Sequence, residues 1–244
     1  MKKLIKFFTI VFSIAILMHF SQNVYAEGVD SFSYDDYLKG ISEGWIDKEI
    51  SYYYLININK EAENFYLNDN FTKVCEAENF EDFSDFITYR ANISHFNPGD
   101  VFVMNSNASG GLSGHSAMAL SNIEFVSIHG KGTKPVIMNR DEFINNYKYR
   151  DITVYRPNNY DWGASAAIWA DSTYRNPGDK FTYKISLDLT DIYKTYCSKM
   201  VYHSYLYGNK NSVITSQPYG LIHPYLLKNW VKIYHHAETQ PENW

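Results

Sequence analysis

Cysteine is scarce in this 244-residue chain: Cys75 and Cys197 are the only two. That excludes a scaffold stapled by several disulfides and a paired-cysteine zinc site. None of the eight histidines falls in a His-Glu-x-x-His stretch, so no catalytic metal is expected. Positive charge is also short, with 22 Lys and Arg against 27 Asp and Glu and a net charge of −5. Phosphate binding needs clustered basic residues, so a nucleic-acid partner is disfavoured. The Ser-, Asn- and Gly-rich stretch 105–114 has no lysine of the kind a phosphate-binding loop requires. Long apolar runs are confined to the N-terminus, and no later segment reads as a membrane span.

At that N-terminus, Lys2, Lys3 and Lys6 precede an uncharged run from Phe7 to Phe20, and Val24-Tyr25-Ala26 resembles a cleavage site. Residues 1–26 therefore read as a secretory signal peptide, the run being shorter than the roughly 20 residues that span a bilayer. Its removal takes three lysines and no acid, carrying the net charge from −5 to −8. The expected product is an exported protein large enough to bury one core without staples.

Residues 27–95 are rich in Glu, Asp, Tyr and Phe and read as a helical extension. Ser33 is the expected N-cap of a helix over 34–40, with a second helix over 45–64 and a short third over 80–90. The character changes at Asn97-Pro98-Gly99-Asp100, a turn cluster followed by the apolar Val101–Met104. Strands are expected at 101–104, 115–120, 124–129, 135–138 and 152–156, with one short helix over 141–147, forming a meander. Later segments predict a helix over 162–171, helical spacing between 189 and 207 ended by Gly208, and a strand over 230–234.

The chemistry concentrates on Cys197. Thr195 is placed to cap a helix that holds the thiol in its first turn, where the dipole and free N–H groups favour the thiolate. His115 opens its strand and shares a face with Ala117 and Ala119, small residues that admit a close helix. If that helix carries Cys197, imidazole and thiol form a nucleophile–base pair. On the next strand Phe125, Ser127 and His129 share a face, which makes His129, then Ser127, the candidates to orient the His115 ring. The rival reading of the cysteines is a Cys75–Cys197 disulfide in an exported, non-catalytic module.

Taken in order, Gly99-Asp100-Val101-Phe102-Val103, Gly114-His115-Ser116-Ala117-Met118-Ala119-Leu120, Arg140-Asp141-Glu142-Phe143 and Tyr196-Cys197-Ser198-Lys199-Met200-Val201 resemble the circularly permuted branch of the NlpC-type papain-like hydrolases, the YiiX-like group. A later Pro218-Tyr219-Gly220-Leu221-Ile222-His223-Pro224 matches more weakly, and the likeness leaves out 27–95. The resemblance implies an α+β papain-like domain over 96–236, its antiparallel sheet packed on the cysteine-bearing helix, with no cofactor. Spacing back from Gly132 sets the third residue of such proteins on Ser127, with His129 on the same face as a substitute. It also implies a secreted or wall-associated cysteine hydrolase cleaving amide bonds of peptidoglycan peptides. Lipid esters and host proteins are other substrates for the same pair.

Overall fold

The computed structural model describes residues 32–76, 95–105, 112–218, 220–241 and 244, the segment 67–76 by its backbone alone. The leader, the helix expected over 80–90 and most of the stretch 105–114 lie outside the described residues. Residues from Phe32 onward form one compact unit of α+β architecture.

Local chemistry starts the elements. Helix α1 (Tyr34–Ser42) opens on a capping box: Ser33 Oγ accepts from Asp36 N at 3.1 Å while Asp36 Oδ2 accepts from Ser33 N. Gly44, at φ +78°, then turns the chain, so 45–50 is not helical as expected but lies along the body, with Ile46 bridged to Ile185. Helix α2 (Tyr52–Glu76) starts only after Ser51, whose Oγ accepts from Tyr54 N. Strands β1 (Val101–Met104), β2 (His115–Ala119), β3 (Glu124–Ser127) and β4 (Val136–Asn139) follow. Asn139 then caps α3 (Arg140–Tyr147) with a second capping box to Glu142.

Next come β5 (Ile152–Pro157), α4 (Tyr160–Tyr174), the short parallel pair β6 (Thr182–Tyr183) and β7 (Lys194–Thr195), and α5 (Cys197–Gly208). A 3-10 turn (Pro224–Leu226), α6 (Leu227–Trp230) and β8 (Ile233–Thr239) complete the chain. The expected strand over 230–234 is thus displaced toward the C-terminus, and of the segment 189–207 only the part from Cys197 is helical. Gly208 is the last helical residue rather than the cap, which is Asn209. Its missing side chain is needed elsewhere, because a Cβ there would strike the Ser165 carbonyl on α4.

The main sheet has the order β4-β3-β2-β1-β5-β8, antiparallel throughout. The first four strands form the expected meander, but β5 adds on the other side of β1. Strand alternation sorts the core into two clusters. Val101, Val103, Met118 and Val126 meet α4 and α5 on one face, while Phe102, Ala117, Ala119 and Phe125 meet Phe143 of α3 on the other. The helical prelude belongs to the same body. Tyr66 of α2 stacks on Tyr225 at 4.3 Å, and Tyr54 Oη accepts from Leu221 N at 3.0 Å.

The turn before β1 is pinned by charge. Asp100, with its side chain fully buried, accepts from Arg156 Nε at 2.8 Å and Nη2 at 2.6 Å, and from Asn97 N at 2.9 Å. Tyr205 Oη of α5 donates to the neighbouring Gly99 carbonyl. Asp100→Ala leaves a largely buried guanidinium unpaired, so it is expected to lower unfolding free energy by about 3–5 kcal/mol in urea titrations. A loss below about 1 kcal/mol would show that this pair does not anchor the turn.

Candidate active site

Cys197 is the first residue of α5 and carries a free thiol, 5% exposed. The chain reaches it from β7 through an extended Tyr196 (φ −142°, ψ 170°), which is the N-cap and gives no side-chain cap. Thr195 therefore does not cap the helix as expected; it is held in β7, and its hydroxyl points at the Tyr196 carbonyl. The uncapped first turn leaves its N–H groups to an anion or a developing oxyanion. Just inside the helix, Lys199 Nζ donates to the Lys194 carbonyl at 2.7 Å and the Asp188 carbonyl at 2.5 Å, clipping the 188–194 loop to the helix.

His115 lies at the start of β2, 1% exposed. Its Nε2 is within 2.8 Å of Ser127 Oγ and 3.0 Å of Tyr147 Oη. The two hydroxyls are 3.1 Å apart, and Tyr147 Oη is 3.1 Å from His129 Nδ1. One consistent set of protons runs Nε2–H to Ser127, Ser127 to Tyr147, and Tyr147 to His129 Nδ1. That tautomer leaves the His115 Nδ1 lone pair free, and Nδ1 is buried without a hydrogen-bond partner. Ser127 and His129 are both in the network, joined by a tyrosine that sequence reasoning did not single out. Its trace was present: Tyr147 stands four residues after Phe143, on the helix face that meets the sheet.

The faces fall differently from the expected arrangement. Ala117 and Ala119 admit α3, not the cysteine helix, which packs on the Met118 face of β2. Ser116, not His115, is the β2 residue whose N–H and hydroxyl favour the Cys197 thiolate. His115 is the residue before Ser116, and alternation turns its ring to the opposite face of β2, toward Ser127 and Tyr147. No hydrogen bond joins thiol and ring. Catalytic contacts of this kind often tighten only with substrate bound.

Electrostatics keep the pair neutral at rest. Burial, with His129 and Arg150 nearby, lowers the His115 pKa to about 3. Burial pushes the Cys197 thiol up, against the opposing pull of the Ser116 and Ser198 donors. Beyond the sulfur lies a pocket walled by Leu55, Ile58, Leu112, Ile185, Leu221 and Ile222, with Asn59, Ser113 and His223 at its polar corner. Asn59 Oδ1 accepts from Ser113 N at 2.8 Å and Ser113 Oγ at 2.9 Å. Among the described residues no charged side chain lines the pocket. Among the described residues no cluster suits a metal, and no helix is long and apolar enough to cross a membrane.

Tyr147→Phe removes one of two hydroxyls holding Nε2. If the network orients the base, the rate of reaction at Cys197 is expected to fall about tenfold, the worth of one buried hydrogen bond. A change under about twofold would leave orientation to Ser127 alone.

Residues 65–237 match the family model described as "Lipoprotein N-acylation protein LnsA-like", of the papain-like, NlpC-related fold class. An uncharacterized 30.3 kDa protein of Bacillus thuringiensis is 26% identical over 135 residues, which cover 52% of this chain and 50% of that protein. The chain thus spans about half the length of the curated relative it matches. No solved structure matches.

Proposed function

Because the chain belongs to the LnsA-like lipoprotein N-acylation family, we propose that it is a thiol-dependent acyl-transfer enzyme with Cys197 as nucleophile and His115 as base. The observation that carries this reading is a free thiol at an uncapped helix start, bordering an apolar pocket and next to Ser116, the chain neighbour of a buried imidazole with an unshared Nδ1. The order of histidine strand before cysteine helix is read as a circular permutation of the papain-like arrangement.

In the proposed cycle His115 Nδ1 takes the thiol proton, and the sulfur attacks the carbonyl of a lipid acyl ester. The oxyanion is held by first-turn N–H groups of α5. The C–O bond breaks, the leaving alkoxide takes the proton from His115, and an acyl thioester remains on Cys197. An amine of a lipoprotein, or water, then attacks the thioester; His115 takes its proton and returns it to the sulfur. An acyl chain suits an uncharged pocket better than a wall peptide bearing charged groups does. The leader read at residues 1–26 sets the reaction outside the cytoplasm.

The test is intact-protein mass spectrometry after incubation with phospholipid vesicles. An acyl adduct on Cys197, absent in His115→Ala and cleared by an amine acceptor, is expected. Absence of any adduct, with release of peptides from peptidoglycan instead, would replace this reading by the amidase one.

A further inference from the structure

Ser116 has no role in the reading above, yet it is fully buried and its Oγ lacks a hydrogen-bond partner. A buried hydroxyl left unpaired is disfavoured by about 1–3 kcal/mol, so its place calls for a reason. Its surroundings supply one. Alternation turns Ser116 to the face of β2 on which α5 packs, the face opposite His115. Strand β3 pairs with β2 at Met118 and Ala119 only, so the Ser116 end of β2 has no partner strand on that side. Helix α5 packs there, and the Ser116 N–H and hydroxyl both act on the Cys197 sulfur. The other nearby hydroxyl is committed: Ser198 Oγ donates to the Ile222 carbonyl at 2.5 Å.

We propose that Ser116 is a catalytic residue that holds the thiolate, its hydroxyl turning to donate to Cys197 Sγ once the thiol proton has moved to His115. The inference rests on Cys197 being the nucleophile, as proposed above. In the neutral resting pair the hydroxyl faces only the thiol sulfur, a weak acceptor, and makes no hydrogen bond. After proton transfer it joins the Ser116 and Ser198 N–H groups as a third donor to a buried anion. Ser116 does not line the pocket, so it serves the sulfur and not the substrate oxygen. The titratable groups near the sulfur among the described residues are Tyr147 from α3, Tyr196 at the helix cap, Tyr183 from β6 and His223 at the cap of the 3-10 turn, with His115 next to Ser116 in the chain. None of them carries a positive charge at rest, so hydrogen bonds ready the sulfur before His115 takes its proton.

The test is the pH dependence of Cys197 alkylation by iodoacetamide in the full chain, with Cys75 replaced by Ser so that one thiol reports. Ser116→Ala is expected to move the midpoint upward by about one pH unit, cutting the rate at pH 7 about tenfold while the high-pH plateau stays unchanged. Ser116→Thr keeps the hydroxyl and is expected to restore the midpoint. Superimposable curves for wild type and Ser116→Ala would overturn the proposal, and so would a lowered plateau with an unmoved midpoint, which marks altered access. Should Ser116→Ala fold poorly, the Thr variant against Ser116→Val carries the same comparison. Alkylation needs no substrate, so a shift here alongside full activity in Cys197→Ala would sink the acyl-transfer reading and the catalytic role of Ser116 with it, leaving only its bond to the thiolate.

Discussion

Cys197→Ala is expected to lower acyl transfer at least about a thousandfold while leaving the protein folded. The first half follows from chemistry: Cys197 is the described free thiol, it sits at an uncapped helix start, and losing a nucleophile removes the covalent route itself. The second half follows from size. Replacing the thiol by hydrogen removes one atom from a site that already borders a pocket, so the change in stability is expected to stay within about 1–2 kcal/mol. Paired measurement of turnover and of the thermal midpoint separates the two. Retained turnover with an intact fold would remove Cys197 from the mechanism. Lost turnover with a collapsed midpoint would instead mark it as a packing residue.

Acid should unfold this protein early. Burial lowers His115 and His223 to about 3 and His203 to about 4. In the unfolded chain each titrates near 6.5. Between 6.5 and the folded value the unfolded state binds the extra proton, so stability rises with pH in that window and is lost as pH falls through it. At pH 5 each histidine costs roughly 2 kcal/mol relative to neutral pH, and three together roughly 6 kcal/mol, a large share of the 5–15 kcal/mol typical of a domain. The exposed carboxylates with lowered values, such as Asp36, Glu43, Asp179 and Asp188, act in the same direction. Their window opens only near pH 4 and below, so the histidines govern the range above it. Denaturant midpoints at pH 7, 6 and 5 are expected to fall steadily, and His203→Gln to flatten the slope. Midpoints that stay level across that range would mean that the buried rings are protonated in the folded state.

The sequence carried the sheet well because its local chemistry is consistent. The Asn97–Asp100 turn, the short apolar runs and the Asn139 cap each act within a few residues, and β1 to β5 fall where they were expected. Ser33 and Gly44 show both outcomes. The first is a local cap and was legible; the second breaks a helix-favouring stretch that tertiary packing claims for the Ile46–Ile185 bridge. The site was legible as a set of residues, since Cys197 lies at a helix start and Ser127 and His129 share a network with His115. The face of β2 that meets α5 was not. Alternation sorts side chains into two faces, but which face receives which helix depends on the crossover of the chain through α4, and no local pattern records that. Tyr147 stayed hidden for a related reason: a tyrosine four residues after a core phenylalanine reads as more core until its hydroxyl is seen between three polar partners.

Helix α2 carries one last implication. Leu55, Ile58 and Asn59, which roof the thiol's pocket, precede residue 65, where the match to the family begins. The shared stretch thus holds sulfur, ring, sheet and most of the pocket wall, while a segment ahead of it closes one side of that wall. Relatives that keep the former and vary the latter would inherit one reaction and differ in the molecules they accept.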